Sequence, residues 1–188
     1  MASEILRGDD LVTRARRCAM SLGWRTPMFL PALQQCTIEA APAETCPTAC
    51  INTKGRILIG EEFAATLTDA ELSAVVAHEL CHLIYRHGER LEDRQPKRFN
   101  VACDMALNQI LREAQEQLPS SALYPVAGQE NWTAEAIYDK LPEQDEDGGN
   151  GTDLMVGIEN IGFWDRWITL AVAQSFTDID GDGTADAG

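Results

Sequence analysis

The stretch that decides the fold is Val75–Ile84, which reads VVAHELCHLI. It contains the pattern HExxH, in which His78 and His82 are four residues apart and so share one face of a helix. Two imidazoles placed in this way can bind one zinc ion, and Glu79 beside them can accept a proton from a water molecule on that ion. The pattern favours a hydrolytic metal site over the alternative, an amphipathic helix whose histidines simply face solvent.

The residues before this stretch independently mark the start of a helix. Thr68 and Glu71 have the spacing of a capping box, in which each side chain bonds the other residue's backbone N–H. The apolar pattern then continues to about Tyr85, and Gly88 is expected to stop the helix. The HExxH pattern is therefore predicted to lie on a well-defined helix.

The third ligand of a catalytic zinc site must come from elsewhere, because such sites typically have three protein ligands. His87 lies five residues after His82, which is about 140° round a continuing helix, so we expect it to cap the helix end rather than bind metal. The metzincin pattern would require glycine and histidine where this chain has Tyr85 and Gly88, so the chain is not a metzincin.

A second long helix, predicted over about 98–118, offers a better candidate. Asn100, Asp104 and Asn108 recur at every fourth position and so lie on one face of this otherwise apolar helix. Buried polar side chains need partners. Zinc ligation by Asp104, with Asn100 and Asn108 bonded to the ligands, would provide them, and we favour this over the alternative that all three face water.

The other elements are short, and their order predicts an α+β fold. A first helix is expected to end before Gly23. Thr53-Lys54-Gly55 between two β-rich segments indicates a hairpin. The predicted elements besides the two long helices are a helix over Asp9–Leu22, strands over Gln35–Glu39, Thr48–Asn52 and Arg56–Gly60, and a short helix over about 133–141 with Thr133 as N-cap.

Length and charge exclude several classes of protein. The chain has 188 residues, with 15 Lys and Arg against 30 Asp and Glu, which gives a net charge of −15. This acidic balance argues against nucleic acid and anionic membrane surfaces as partners. No apolar run is long enough to span a bilayer, and the charged N-terminus lacks the apolar stretch of a signal peptide, so we expect a cytoplasmic protein.

The six cysteines contain no CxxC pair, which argues against a zinc ribbon or a thioredoxin-like motif. Cys46 and Cys50 are close enough in sequence to meet, but without a secretory signal we expect reduced thiols. Cys81 and Cys103 each adjoin a predicted ligand. A helical neighbour points about 100° away, so neither is expected to bind the same zinc ion.

Several longer segments together resemble one known family: TPMFLPAL, GRILIGEEFAATLTDAEL, VVAHELCHLIYRHGER, FNVACDMALNQIL and NWTAEAIYDKL, between about Thr26 and Leu141. The family is the zinc metallopeptidase domain of bacterial and phage proteins that often stands N-terminal to a von Willebrand factor A-like domain. The resemblance implies a zincin-like fold, in which a small sheet packs on the HExxH helix. It also implies a von Willebrand factor A-like domain or an AAA-type ATPase as partner.

Carried over to this chain, the resemblance makes three residues the zinc ligands and Glu79 the base. It also places Arg90 in the site region. The implied ligands are His78, His82 and Asp104, and the other residues implied to surround them are His87 and Asn108.

The chain then divides into a zincin-like domain, residues 1–141, an acidic linker, residues 142–153, and a C-terminal helix with an acidic tail, residues 154–188. Asp178, Asp180 and Asp182 match the start of a calcium loop, but its closing acid would fall at position 189. A solvated acidic tail is the favoured interpretation, with weak Ca²⁺ binding as the alternative.

These observations predict a zinc-dependent metallopeptidase that acts on a protein or peptide. The alternative is a non-catalytic, zinc-stabilised interaction module. Two features favour the enzyme: Glu79 is unnecessary in a purely structural site, and only three ligands are evident where structural sites usually have four. Tyr138 and Tyr124 are candidates to stabilise an oxyanion, although the favoured interpretation for each is a half-buried packing residue.

Overall fold

The computed structural model describes residues 6–142 of the chain. In this part of the chain, seven α-helices and one 3-10 turn accompany a small three-stranded sheet, which confirms the predicted α+β fold. The α-helices are α1 (Gly8–Arg25), α2 (Leu30–Leu33), α3 (Glu61–Thr66), α4 (Asp69–Ile84), α5 (His87–Arg90), α6 (Pro96–Glu113) and α7 (Ala134–Tyr138), and the 3-10 turn is Pro27–Phe29.

The sheet has the strand order β1-β3-β2, with β1 at Thr37–Ala41, β2 at Ala49–Ile51 and β3 at Arg56–Gly60. β1 runs parallel to β3, whereas β2 runs antiparallel to it, with Cys50 opposite Leu58. The predicted hairpin is confirmed, and Gly55 has a φ of 80°, a conformation that glycine adopts without strain. β2 therefore forms one edge of the described sheet, where it packs against α4.

Strand β3 is buried on both faces because it is apolar at successive positions. Ile57 and Ile59 belong to the main core, together with apolar residues of α1 and α4. Leu58 lies in a smaller cluster with Cys46 and Cys50. Because both faces of β3 are buried, this strand holds the sheet against the helices.

Helix α4 begins where the sequence predicts. The Thr68 hydroxyl accepts a hydrogen bond from the Glu71 backbone N–H at 3.2 Å, and the Glu71 carboxylate accepts one from the Thr68 backbone N–H at 2.8 Å, which confirms the capping box. Leu72, Val76 and Leu80 are fully buried. The helix packs against α1, α6 and β2, and this places the HExxH pattern between the sheet edge and α6.

Two helices end differently from the prediction. α1 continues through Gly23 to Arg25, and the glycine makes room for Leu30 instead of ending the helix: a Cβ on Gly23 would lie 2.5 Å from the Leu30 Cδ2 atom. α6 ends at Glu113 rather than near residue 118, and Gln115 adopts a left-handed conformation with a φ of 62°. Because residues other than glycine rarely adopt this conformation, the sequence gives little indication that the helix ends here.

The end of α4 matters most for the site. The helix stops at Ile84, and Arg86 is left-handed with a φ of 56°, so the predicted stop at Gly88 is wrong. Gly88 lies inside the short helix α5, which starts at His87. The chain therefore changes direction between His82 and His87.

Residues 143–188 lie outside the described residues, and with them nearly all of the predicted acidic linker and the whole C-terminal segment. The calcium candidates Asp178, Asp180 and Asp182 lie there too. Within residues 6–142, no helix combines the length and the hydropathy that crossing a membrane requires.

Candidate metal centre

Three potential ligand atoms from α4 and α6 converge. The Nε2 atoms of His78 and His82 are 2.9 Å apart, and the Asp104 Oδ1 atom lies 3.2 Å from the first and 3.0 Å from the second. Ligand bonds of about 2.0–2.1 Å in a tetrahedral zinc site place ligand atoms roughly 3.3 Å from one another. Two imidazoles and one carboxylate at this separation fit a metal ion of that size, and they form a candidate metal site.

The His78 ring is held by Asn108. The Asn108 Nδ2 donates a hydrogen bond to the Leu123 carbonyl at 2.9 Å, and since a carbonyl can only accept, the amide oxygen faces His78. The His78 Nδ1 is 2.9 Å from that oxygen and therefore donates to it. The proton on Nδ1 leaves the Nε2 lone pair directed at the cluster, as a metal ligand requires.

The His82 ring is held by His87, which corrects the expectation that His87 caps the helix end on its far side. Their Nδ1 atoms are 3.1 Å apart, and both side chains are buried. The left-handed turn at Arg86 returns the chain to the helix, so the continuing-helix geometry does not apply. Burial, together with the charges of His82 and Arg90, lowers the pKa of His87 to about 3. His87 is therefore neutral and can accept the His82 Nδ1 proton.

The third ligand candidate, Asp104, is oriented by Asn100. The Asn100 Nδ2 donates to the Asp104 Oδ2 at 3.3 Å, which leaves Oδ1 facing the two histidines. Burial opposes ionisation of Asp104, but the His78 and His82 imidazoles, which donate hydrogen bonds to it from Nε2 only when they are protonated, outweigh burial and hold the pKa of this carboxyl well below its usual range. Burial likewise opposes the charged form of His78, yet the Asp104 carboxylate raises the pKa of His78 to about 9.

Glu79 lies beside this cluster and is almost fully buried, at 4% exposed. The backbone N–H of Ile51, in β2, hydrogen-bonds to its carboxylate, whereas its Oε2 atom has no partner among the described residues. Burial raises the pKa of Glu79, against the opposing charges of His78 and His82. A buried carboxylate oxygen without a partner is costly, and it points to a function for this atom.

A cleft of about 470 Å³ opens over the cluster. Glu79 and Asp104 line it together with Thr48 and Ala49 at the sheet edge and with residues 118–119 and 121–123 after α6. The residue pattern did not predict that β2 and this loop line the cleft, because it carries no information about where backbone groups lie in the fold. Only the tertiary structure brings them to the site.

The remaining candidates lie elsewhere. The Tyr138 hydroxyl accepts a hydrogen bond from the Gln95 backbone N–H at 3.1 Å, and its ring lies 4.3 Å from the Arg98 guanidinium. Tyr124 packs in the same way beneath Arg112. Neither set of contacts includes the three-residue cluster, and a role in oxyanion stabilisation stays a prediction.

Arg90 and the cysteines have clear positions. Arg90 forms an ion pair with Glu135 of α7 at 2.6 Å and so anchors α5, which carries His87.

The sulfur atoms of Cys46 and Cys50 are 4.0 Å apart, and the described cysteines are all free thiols. Neither Cys81 nor Cys103 belongs to the metal-site cluster of the described residues.

Comparison with known proteins points to one family. Searches of curated proteins and of solved structures found no match. Residues 12–160 match a family described as a putative metallopeptidase domain. This range contains both helices of the candidate metal centre, and it confirms the resemblance seen in the sequence segments. The chain therefore belongs to the putative metallopeptidase domain family.

Proposed function

We propose that the protein is a zinc-dependent metallopeptidase that hydrolyses peptide bonds. The observation that carries the proposal is the convergence of His78, His82 and Asp104 beside the buried, unpartnered Glu79 Oε2. The donor set of two imidazoles and one carboxylate suits a catalytic zinc ion, which uses three protein ligands and keeps a position open. The cleft above the cluster gives a peptide access to it.

The residues around the cluster would each have a distinct task. Zinc held by these ligands supplies Lewis acidity, which polarises a peptide carbonyl and makes water nucleophilic near neutral pH. Glu79 would accept the proton of the attacking water at Oε2 and pass it to the leaving amine. Asn108, His87 and Asn100 would keep the three ligands oriented.

Glu79 also separates this proposal from a structural zinc module. A structural site usually has four protein ligands and needs no base. Here a fourth ligand is not part of the cluster within the described residues. A carboxylate that is buried without a full set of partners lowers stability, so its presence favours catalysis over a purely structural role.

The test measures zinc content and turnover in the same preparations of the full chain, purified without chelator or nickel. We expect about one zinc per chain by plasma mass spectrometry, and cleavage of a mixture of quenched fluorescent peptides. Glu79→Gln should keep the zinc and reduce turnover by about 100-fold or more, because general-base catalysis contributes about 10²–10⁴-fold. Asp104→Asn should lose zinc.

Glu44→Gln and Asp93→Asn, both at exposed positions, are the matched controls and should behave like the wild type. Full turnover in Glu79→Gln would refute the proposed mechanism. Folded wild-type protein that takes up no added zinc would refute the metal site itself.

The partners and the location of the protein are part of the proposal. The substrate would be a protein or peptide in the cytoplasm. The von Willebrand factor A-like domain and the AAA-type ATPase stay predictions of the family resemblance. Co-purification of the tagged full chain with either protein would test them.

A further inference from the structure

A second cavity, of about 90 Å³, borders the metal cluster at His82, and Glu79 is not among its lining residues. Its walls come from three elements: the end of β2 with the hairpin turn, the segment from the end of α4 through α5, and the first half of α6. Residues that line it include Ile51, Leu83, Leu91, Phe99 and Cys103. The metal-site function described above does not account for this cavity.

The lining is chemically apolar, and most of its exposed surface belongs to carbon atoms. Phe99 and Cys103 are 2% and 1% exposed, and they form a small apolar cluster against which Leu91 packs. Arg86 and Glu89 also line the cavity, but these two side chains pair with each other. A charged ligand group entering the cavity would therefore lose its hydration and find no free counter-charge among these residues.

The cavity adjoins the metal centre directly. His82, one of the three converging side chains, forms part of its wall, and so does His87 behind it. Asn100 lines both this cavity and the larger cleft that contains Glu79 and Asp104. Because the two spaces share Asn100 as a wall residue, a chain that lies along the cleft over the cluster runs close to the cavity.

The volume limits which side chains fit. An engineered cavity of about 150 Å³ holds benzene, which corresponds to roughly 25 Å³ for each carbon atom. A cavity of about 90 Å³ then accommodates three or four heavy atoms. Valine, leucine, isoleucine and methionine have side chains of this size, whereas the side chain of phenylalanine is about twice as large and that of tryptophan larger still.

We infer that this cavity is a specificity pocket that receives one aliphatic side chain, of three or four heavy atoms, from the peptide bound at the metal centre. This inference rests on the proposed function, since it takes the occupant to be part of a peptide substrate. It narrows the substrate class to peptides that carry such a residue next to the bond cleaved.

The test measures ligand binding, so that it does not depend on turnover. N-acetylated hydroxamates of alanine, leucine and tryptophan share one zinc-binding group and differ only in the side chain. Their affinities for the zinc-loaded full chain are measured by isothermal titration calorimetry. The leucine derivative should bind more tightly than the alanine derivative by up to about 60-fold, because each buried methylene contributes about fourfold. It should also bind more tightly than the tryptophan derivative.

Two variants of Leu91 connect this preference to the cavity. Leu91→Trp should fill the cavity and lower the affinity for the leucine derivative to that for the alanine derivative. Leu91→Ala should enlarge it and improve binding of the tryptophan derivative. Leu33→Trp, at a similarly half-buried position on α2 outside the cavity, is the matched control and should keep the wild-type preference.

Equal affinities for the three hydroxamates, or the same change in Leu91→Trp and Leu33→Trp, would overturn the inference. Peptide cleavage is followed in parallel with the fluorescent mixture. Cleavage that shows no side-chain preference would refute the pocket and leave the proposed function intact. A side-chain preference in binding, with no peptide cleaved, would support the pocket and refute the peptidase function.

Discussion

At the scale of single residues, the two histidines of the cluster are oriented by neighbours from different parts of the chain. Asn108 reaches His78 from α6, whereas His87 reaches His82 from the turn after α4. Each neighbour fixes the Nδ1 position and so leaves Nε2 available. A site whose ligands are oriented in advance loses less entropy when a metal binds.

Asn108 offers the sharpest test of this arrangement. Asn108→Leu removes the acceptor for the His78 Nδ1 proton, so the ring can rotate or change tautomer, and we expect zinc affinity to fall about 10- to 100-fold. Asn108→Asp keeps an acceptor oxygen and should retain most of the affinity. Competition with a chromophoric chelator measures both values, and circular dichroism checks that both variants fold.

If Asn108→Leu and Asn108→Asp lost affinity equally, the hydrogen bond to Leu123 would be the important contact rather than the one to His78. Unchanged affinity in Asn108→Leu would show that the His78 ring needs no support from α6.

At the scale of elements, the sequence was sufficient to predict the features of helices and turns that depend on neighbouring residues. The capping box at Thr68 and the glycine turn of the hairpin were predicted correctly because each depends on residues within one turn. Helical spacing likewise pointed to His78, His82 and Asp104, which lie on the buried faces of two helices. Helical spacing alone predicted the position of His87 wrongly, since it depends on the left-handed Arg86, whereas the family resemblance had placed His87 in the site region. Arginine rarely adopts that conformation, so only tertiary packing could reveal it.

The N-terminal cap of α4 has a measurable contribution to stability. Thr68→Ala removes the side chain that accepts from the Glu71 backbone N–H, and we expect the free energy of unfolding to fall by about 1 kcal/mol. Urea denaturation at constant zinc concentration measures the change. Thr68→Ser, which keeps the hydroxyl, should lose much less. Because α4 carries the metal cluster well away from its first turn, zinc content should stay the same in both variants.

At the scale of the whole molecule, helix α4 contributes both to the apolar core and to the candidate metal centre. Leu72, Val76 and Leu80 of α4 belong to a cluster of buried residues that extends to α1, the sheet and α6. This core does not include the three metal-site side chains. It joins α4 to α6 by its own contacts, so the two halves of the site are brought together by packing and not by the metal alone.

Removal of the metal should therefore lower stability without unfolding the protein. A ligand present at 100 times its Kd stabilises the native state by about 2.7 kcal/mol. For a domain of this size that corresponds to a shift in Tm of about 8 °C. We expect the chelator-treated full chain to show native circular dichroism and a Tm lower by about this amount. Added zinc should restore the Tm.

Asp104→Asn is the matched control for this measurement. It removes one ligand charge from the site and leaves the core residues unchanged, so its Tm should hardly respond to zinc or chelator. A structural zinc module would behave differently, because such domains unfold when the metal is withdrawn. Loss of the native spectrum on chelation would therefore contradict a catalytic site built on a preformed core. A folded apoprotein that regains its Tm with zinc would support one.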